Sequence, residues 1–230
     1  MNNIFASSST IGVVISLLAY GIGVFIRNKT KKAILNPLMI SIILVIAFLL
    51  VFDIEYESYE HSTKYLNYFL TPATVSLAIP LYQQIELLKK HLKAIMIGII
   101  SGVCTSLFSI LILSMVFQLS HAEYVTLLPK SITAAIGMVL SEELGGYATI
   151  TVSVIAVTGI LGNMFAESVC RLLRIKNPIA KGLAIGTSSH AAGTAKAMEM
   201  GQVEGAMSSL SIVIAGILTV ILAPIFSILY

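Results

Sequence analysis

The segment GTSSHAAGTAKAM, residues 186–198, carries the densest group of chemically capable side chains in this sequence. Hydroxyl groups can donate hydrogen bonds to a carboxylate, and an imidazole can donate one or carry a proton near neutral pH. A helix interrupted here would also expose backbone N–H groups that favour an anion. The pattern predicts a binding site for a small anion, formed by Gly186, Thr187, Ser188, Ser189, His190, Gly193, Thr194 and Lys196.

Helix packing is the simpler interpretation of the same segment. Glycine, alanine and serine let neighbouring helices approach closely inside a membrane. Packing does not require His190 or Lys196, however, and ionisable residues inside a span are functional candidates by default. Lys196 has a further alternative role, because a lysine close to the membrane interface can extend its amine to water.

Two other segments offer groups that could join this site. A proline inside an apolar helical segment leaves a backbone carbonyl without its hydrogen-bond donor. In the TPAT stretch, threonines lie next to such a proline. The stretch is therefore either a helix kink capped by threonine or part of a binding site. A lysine in the PKSIT stretch either attracts an anion or is an ordinary interfacial lysine. The candidates from these two stretches are Thr71, Pro72, Ala73 and Thr74, and Lys130, Ser131 and Thr133.

Catalysis is not indicated anywhere in the sequence. It contains neither a Cys/His metal spacing nor a glycine-rich nucleotide loop, so we expect no enzymatic activity, no cofactor and no bound metal. The formal net charge of +3 is modest, and we expect no nucleic-acid partner. Cys104 and Cys170 lie in apolar runs, which favours packing roles over a disulfide.

The elements that position these residues are membrane spans. Of the 230 residues, 57% are hydrophobic and only 11% are charged, whereas soluble domains carry about 25% charged residues. Several apolar runs reach the roughly 20 residues that cross a bilayer as a helix. We therefore predict an all-α integral membrane protein, a single polytopic domain over residues 1–230, with crossings at 10–26, 35–53, 66–85, 93–118, 148–170, 179–200 and 206–229.

Basic residues in short loops mark the cytoplasmic side of a membrane protein. This rule places loops 27–32, 86–93 and 171–181 in the cytoplasm and the N-terminus outside. The third loop lies inside only if residues 127–146 enter and leave the membrane on one face. The charges therefore favour seven crossings and one re-entrant hairpin over eight plain crossings.

This topology relates two parts of the chain as inverted repeats, residues 33–118 and residues 127–230, the second including the re-entrant segment 127–146. The segments 66–85 and 179–200 are then counterparts, and each contains helix-breaking residues. Paired broken helices at corresponding positions of inverted halves point to a transporter binding site. We predict that residues 71–74 and 186–190 cross and meet at mid-depth in the bilayer.

Four blocks of the chain resemble the LrgB/CidB family over nearly its whole length. They are LTPATVSLAIPLYQ, LLPKSITAAIGMVLSEELGG, IAKGLAIGTSSHAAGTAKAMEMG and EGAMSSLSIVIAGILTVILAPI, and two of them look closer to the CidB branch. The resemblance implies a multi-pass protein of the bacterial cytoplasmic membrane that is encoded beside a small holin-like LrgA/CidA partner. It also implies a link to murein hydrolase activity, autolysis and cell death. Relatives resemble bacterial pyruvate uptake proteins and a plastid glycolate/glycerate translocator.

The residues and the resemblance together favour a carrier for small monocarboxylates such as pyruvate, glycolate or lactate. It would work by alternating access around the broken helices, with a proton or sodium ion as candidate coupling ion. The alternative is a holin- or antiholin-like modulator of lysis that acts with an LrgA/CidA-type partner. A homo-oligomer, above all a dimer, is expected from the family and from the small-residue faces.

Overall fold

The computed structural model describes residue 8, residues 10–30 and residues 35–230. Every regular element in these ranges is a helix, which confirms the predicted all-α class. Two compact units divide the chain, residues 1–77 and residues 78–230. The single domain and the two inverted repeats stay predictions. In chain order the helices are α1 Ile11–Thr30, α2 Pro37–Val51, α3 Tyr56–Asn67, α4 Leu70–Ser76, α5 Ala78–Gln83, α6 Ile85–Phe117, α7 His121–Leu127, α8 Ala134–Glu143, α9 Ala148–Leu172, α10 Pro178–Met200 and α11 Gln202–Ser227.

Four of the described helices, α1, α6, α9 and α11, are long and apolar enough to cross a membrane, and α2 is a shorter apolar helix. Together they identify a multi-pass membrane protein. The 23-residue helix α10 is not among the four, because polar residues interrupt its apolar character.

In the first unit, α1 packs against α2 and α3. A methyl group on Gly23 would lie 2.6 Å from the Pro37 carbonyl oxygen, so the missing side chain permits this close approach. The Ser16 hydroxyl and the Tyr59 phenol share a 2.7 Å hydrogen bond between α1 and α3. The hydrogen bond thus joins the two helices of this unit that flank α2 in the sequence.

The predicted proline break at Pro72 is also wrong. Pro72 lies in the first turn of α4, where a helix leaves its backbone N–H groups unpaired and proline is tolerated. Ser76 Oγ donates a 2.7 Å hydrogen bond to the Pro72 carbonyl. The helix ends instead at Leu77.

The second unit has its core along one face of α6. Ile95, Ile99, Val103 and Leu107 follow one another at intervals of four residues and are at most 2% exposed, as expected for a helical stripe that faces neighbouring helices. Tyr124 of α7 joins this core, and its hydroxyl donates a 2.9 Å hydrogen bond to the Phe226 carbonyl of α11.

Helix α7 begins with a capping box. The Ser120 backbone N–H and hydroxyl both donate to the Glu123 carboxylate, at 2.7 Å and 2.8 Å, and the Ser120 hydroxyl accepts from the Glu123 N–H at 3.3 Å. The backbone hydrogen bond, aided by the hydroxyl, holds the pKa of Glu123 below its usual value.

The predicted basic loops are largely helical. Residues 86–93 lie within α6, which bends at His91. Residues 27–30 form the end of α1, whereas 31 and 32 lie outside the described residues. Of residues 171–181, only 173–177 lie between helices. Lysine, arginine and glutamate are good helix formers, so polarity alone does not end a helix.

Helix α10 contains a reversal of the chain. In an unbroken helix Lys181 and Met200 would lie about 28 Å apart, yet both line the same cavity. A methyl group on Gly193 would lie 3.1 Å from the Ile185 side chain, eight residues earlier. Residues 178–188 and 191–200 are therefore two arms of a hairpin, and the predicted crossing at 179–200 is corrected.

Residues 121–143 also fold back on themselves. A methyl group on Gly137 would lie 3.4 Å from the Pro129 side chain. The Thr151 hydroxyl of α9 lies within hydrogen-bond distance of the Thr126 carbonyl (2.9 Å) and of the Ser141 hydroxyl (2.7 Å). Gly137 lies inside α8. The turn is made by residues 128–133.

Candidate functional site

The hairpin of α10 turns at Ser189 and His190, which have the non-helical angles φ −135°, ψ 15° and φ 42°, ψ −140°. The predicted interruption of the helix within residues 186–190 is confirmed, but Gly186 and Gly193, to which the sequence attributed the break, do not form the turn. Both glycines lie within helical arms and serve close packing. A methyl group on Gly186 would collide with the Ser208 carbonyl of α11, and one on Gly193 with the Ser189 side chain.

Helix α9 supports the turn through two glycines and an asparagine. A methyl group on Gly162 would collide with the Ser189 side chain, and one on Gly159 would lie 2.6 Å from the imidazole of His190. Asn163 Nδ2 donates a 2.6 Å hydrogen bond to the Ala192 carbonyl just after the turn. The turn is therefore closely packed against α9 and joined to it by an interhelical hydrogen bond.

The side chain of His190 is buried against α9. Its Nε2 lies 2.9 Å from the Ile155 carbonyl oxygen, so the tautomer that carries hydrogen on Nε2 donates this bond. Gly137 of α8 packs against the Ile155 side chain. Ile155 thus contacts both hairpins of the second unit, with its carbonyl to one and its side chain to the other.

The hydroxyl groups of α10 are also bonded within the protein. Thr187 donates to the Leu183 carbonyl at 2.8 Å. Thr194 donates to the His190 carbonyl at 2.9 Å and shares a 2.7 Å hydrogen bond with Ser208 of α11. The Ser188 and Ser189 hydroxyls lie 3.0 Å apart. The donors predicted to hold an anion therefore hold the hairpin and its neighbours together.

Lys196 is held in ion pairs. Its Nζ lies 3.3 Å from a Glu167 carboxylate oxygen and 3.2 Å from one of Glu199, and its side chain is only 14% exposed. Glu167 also pairs with Arg171 at 3.1 Å, which confirms the pair that their four-residue spacing predicts. The two carboxylates neutralise the positive charge of Lys196, which would otherwise attract a bound anion.

The second candidate group lies at the turn of the other hairpin. Lys130 Nζ donates to the hydroxyls of Ser131 (2.9 Å) and Ser106 (3.2 Å), and among the described residues it has no carboxylate partner. Thr133 begins α8 without a side-chain cap. Ser106 and Ser208 were missed by sequence reasoning, since a serine inside an apolar run gives no signal of its own.

The third candidate group belongs to α4 in the first unit. Thr71, Pro72, Ala73 and Thr74 all have helical backbone there. Their predicted meeting with residues 186–190, which belong to the second unit, stays a prediction.

Comparison with known proteins gives a consistent family. A model described as the LrgB-like family matches residues 16–229. The chain is similar to the antiholin-like protein LrgB of Bacillus subtilis (strain 168), with 39% identity over 216 residues, 94% of each chain. It is 38% identical to the protein of the same name from Bacillus cereus (strain B4264), over the same share of each chain. No solved structure matches the chain.

These relatives overturn the predicted monocarboxylate carrier, because the proteins that match almost the whole chain are named antiholin-like. The resemblance found in the sequence is confirmed at the level of LrgB. The closer likeness to the CidB branch and the relation to pyruvate uptake proteins and the plastid translocator stay predictions. The chain belongs to the LrgB-like family.

Proposed function

We propose that the protein is an antiholin-like modulator of murein hydrolase activity and autolysis in a bacterial cytoplasmic membrane, and that it is not itself an enzyme. The observation that carries this proposal is the 39% identity over 94% of both chains to a protein named antiholin-like. The interior of the second unit suits such a role, because polar side chains of α10 form hydrogen bonds within the protein that stabilise the hairpin.

The proposed partners are a small LrgA/CidA-type membrane protein and a second copy of this chain. Exposed apolar side chains on α11, including Val213, Ile217 and Val220, suit contact with lipid or with another helix.

For the second unit we propose three crossings, α6, α9 and α11, and two hairpins that enter from opposite faces. Each arm of α10 is only about 15 Å long, whereas the hydrocarbon core is roughly 30 Å thick. Helix α8, with 10 residues, is also too short to cross the hydrocarbon core. The positive-inside rule favours a cytoplasmic location for the basic segments 27–32, 86–93 and 171–181 and an external N-terminus.

Autolysis measurements test the function. In a bacterial host whose LrgB-like gene is deleted, we expect expression of this chain together with an LrgA-type protein to slow detergent-induced lysis and to lower murein hydrolase activity. A Gly162→Ala variant should lose the effect, because the added methyl collides with Ser189. Gly216→Ala is the matched control, because its methyl would be at an ordinary 3.5 Å contact with Ile136. Equal lysis with and without the wild-type chain would refute the proposal.

Cysteine labelling tests the arrangement of α10. In a variant without Cys104 and Cys170, single cysteines are placed by Lys176→Cys, Gln202→Cys and Tyr230→Cys and labelled with a membrane-impermeant maleimide. The hairpin predicts that the first two label from one face and the third from the other. Labelling of Lys176→Cys and Gln202→Cys from opposite faces would mean that residues 178–200 cross the membrane.

A further inference from the structure

A basic cavity lies where α9 ends and α10 begins. It has a volume of about 340 Å³, and four cationic side chains line it, those of Arg171, Arg174, Lys176 and Lys181. Glu167 is the acidic residue among the lining residues. The cavity therefore has the charge to hold an anionic group.

The cations of this cavity differ in how far they are already paired. Arg171 is 3.1 Å from Glu167, whose carboxylate also pairs with Lys196. Lys181 is at the limit of an ion pair with Glu204, at 4.0 Å. Within the part of the chain that the structure describes, Arg174 and Lys176 form no ion pair. These two exposed positive charges of the cavity are therefore available to an external anion.

A second cavity borders the first on the side of the apolar part of the unit. It has a volume of about 280 Å³ and shares Cys170 and Ile175 with the basic cavity. Its walls are formed mainly by apolar side chains, among them Phe165, Val169 and Ile185. It extends along α9 from Cys170 to Gly162, about 12 Å at the rise of an α-helix, and ends against Ser189 at the hairpin turn.

A cationic cavity joined to an apolar groove matches the two parts of a phospholipid. A phosphate group and the basic side chains attract each other, and arginine binds phosphate oxygens with a matching fork of N–H groups. Basic pockets between membrane helices are known to hold anionic lipid head groups. A free phosphate would use the first cavity and leave the second without a role. The shape therefore favours the lipid.

We propose that the two cavities together form a binding site for one anionic phospholipid, with its phosphate among Arg171, Arg174, Lys176 and Lys181 and part of one acyl chain in the groove between α9 and the first arm of α10. The acyl chain reaches Ser189 and so stabilises the hairpin at its turn. This site goes beyond the antiholin-like function and does not depend on it.

Native mass spectrometry of the detergent-purified protein tests the site. The probes are phosphatidylglycerol, zwitterionic phosphatidylcholine and soluble glycerol phosphate, each titrated separately. We expect one phosphatidylglycerol to be retained more tightly than phosphatidylcholine and glycerol phosphate. Equal retention of the two lipids would overturn the proposal, and so would glycerol phosphate binding as tightly as the lipid, because it would make this a free-phosphate site.

Two variants separate the head-group cavity from the groove. Arg174→Gln with Lys176→Gln should weaken phosphatidylglycerol binding about 25-fold, since each basic residue near an anionic lipid contributes roughly a factor of five. Ala166→Phe, which fills the groove, should weaken it without changing the net charge. Ala166 lines the groove but not the basic cavity.

Lys89→Gln with Lys90→Gln is the matched control, because it removes the same charge from exposed positions on α6 outside both cavities. We expect its lipid binding to stay within about twofold of the wild type, a change smaller than the contribution of one basic residue. Circular dichroism confirms that each variant is folded. An equal loss of binding in this control and in the Arg174/Lys176 variant would contradict a specific site, as would full binding by folded Ala166→Phe. None of these measurements depends on lysis, so the lipid site and the antiholin-like function can fail separately.

Discussion

Substitution of alanine for Gly162 is expected to lower the stability of the purified protein by about 1–3 kcal/mol, the usual cost of overpacking. The added methyl would occupy the space of the Ser189 side chain, which lies at the hairpin turn and is only 4% exposed. Neither α9 nor the turn can move away easily, because Asn163 and His190 fix them to each other on both sides of this contact.

Thermal unfolding followed by circular dichroism measures this effect, since the chain has no tryptophan for fluorescence. Gly216→Ala is the control and should be neutral or slightly stabilising, because alanine is the better helix former and its methyl has room. Adding Ser189→Gly to Gly162→Ala should restore much of the lost stability, since it removes the colliding side chain. A Gly162→Ala protein as stable as the wild type would mean that α9 does not contact the turn.

Substitution of valine for His190 is expected to cost roughly 2–4 kcal/mol through two separate effects. The backbone φ of 42° at this position is unfavourable for any side chain and most of all for a β-branched one. Valine also cannot donate the hydrogen bond to the buried Ile155 carbonyl, which the imidazole now supplies at 2.9 Å.

The same melting experiment separates the two effects. His190→Asn should lose less stability than His190→Val, because asparagine tolerates a positive φ and keeps an N–H donor. Ala195→Ser is the control at an exposed position of the second arm with helical backbone, and it should change stability by no more than about 0.5 kcal/mol. Similar melting temperatures for the valine, asparagine and wild-type proteins would show that the reversal does not depend on His190.

The sequence predicts correctly which segment is interrupted, but it does not predict the conformation of that segment. Polar and small residues at 186–198 correctly indicate an interrupted helix. The glycines at 186 and 193, however, suggest a break three residues away from the observed one at Ser189 and His190. A glycine inside a membrane either ends a helix or admits a neighbouring helix, and the choice depends on what lies opposite, here Ser208 for Gly186. Which residue lies opposite a glycine is decided by tertiary packing and cannot be read from the local sequence.

The same limit explains the error about the carrier. Threonine, serine, histidine and lysine side chains in a membrane segment indicate hydrogen bonding, but their type does not reveal the partner. In the folded chain Thr194 meets Ser208, His190 meets the Ile155 carbonyl and Lys196 meets Glu167. By contrast, a pair such as Glu167 and Arg171 is local to one helix, and its four-residue spacing is sufficient to predict it.

The hairpin of residues 178–200 also depends on when its neighbouring helices are inserted into the membrane. Its polar groups are satisfied partly by α9, which leaves the ribosome earlier, and partly by Ser208 of α11, which leaves it later. Unsatisfied polar groups are costly in hydrocarbon, so the hairpin has its full set of partners in the membrane only once both α9 and α11 lie beside it.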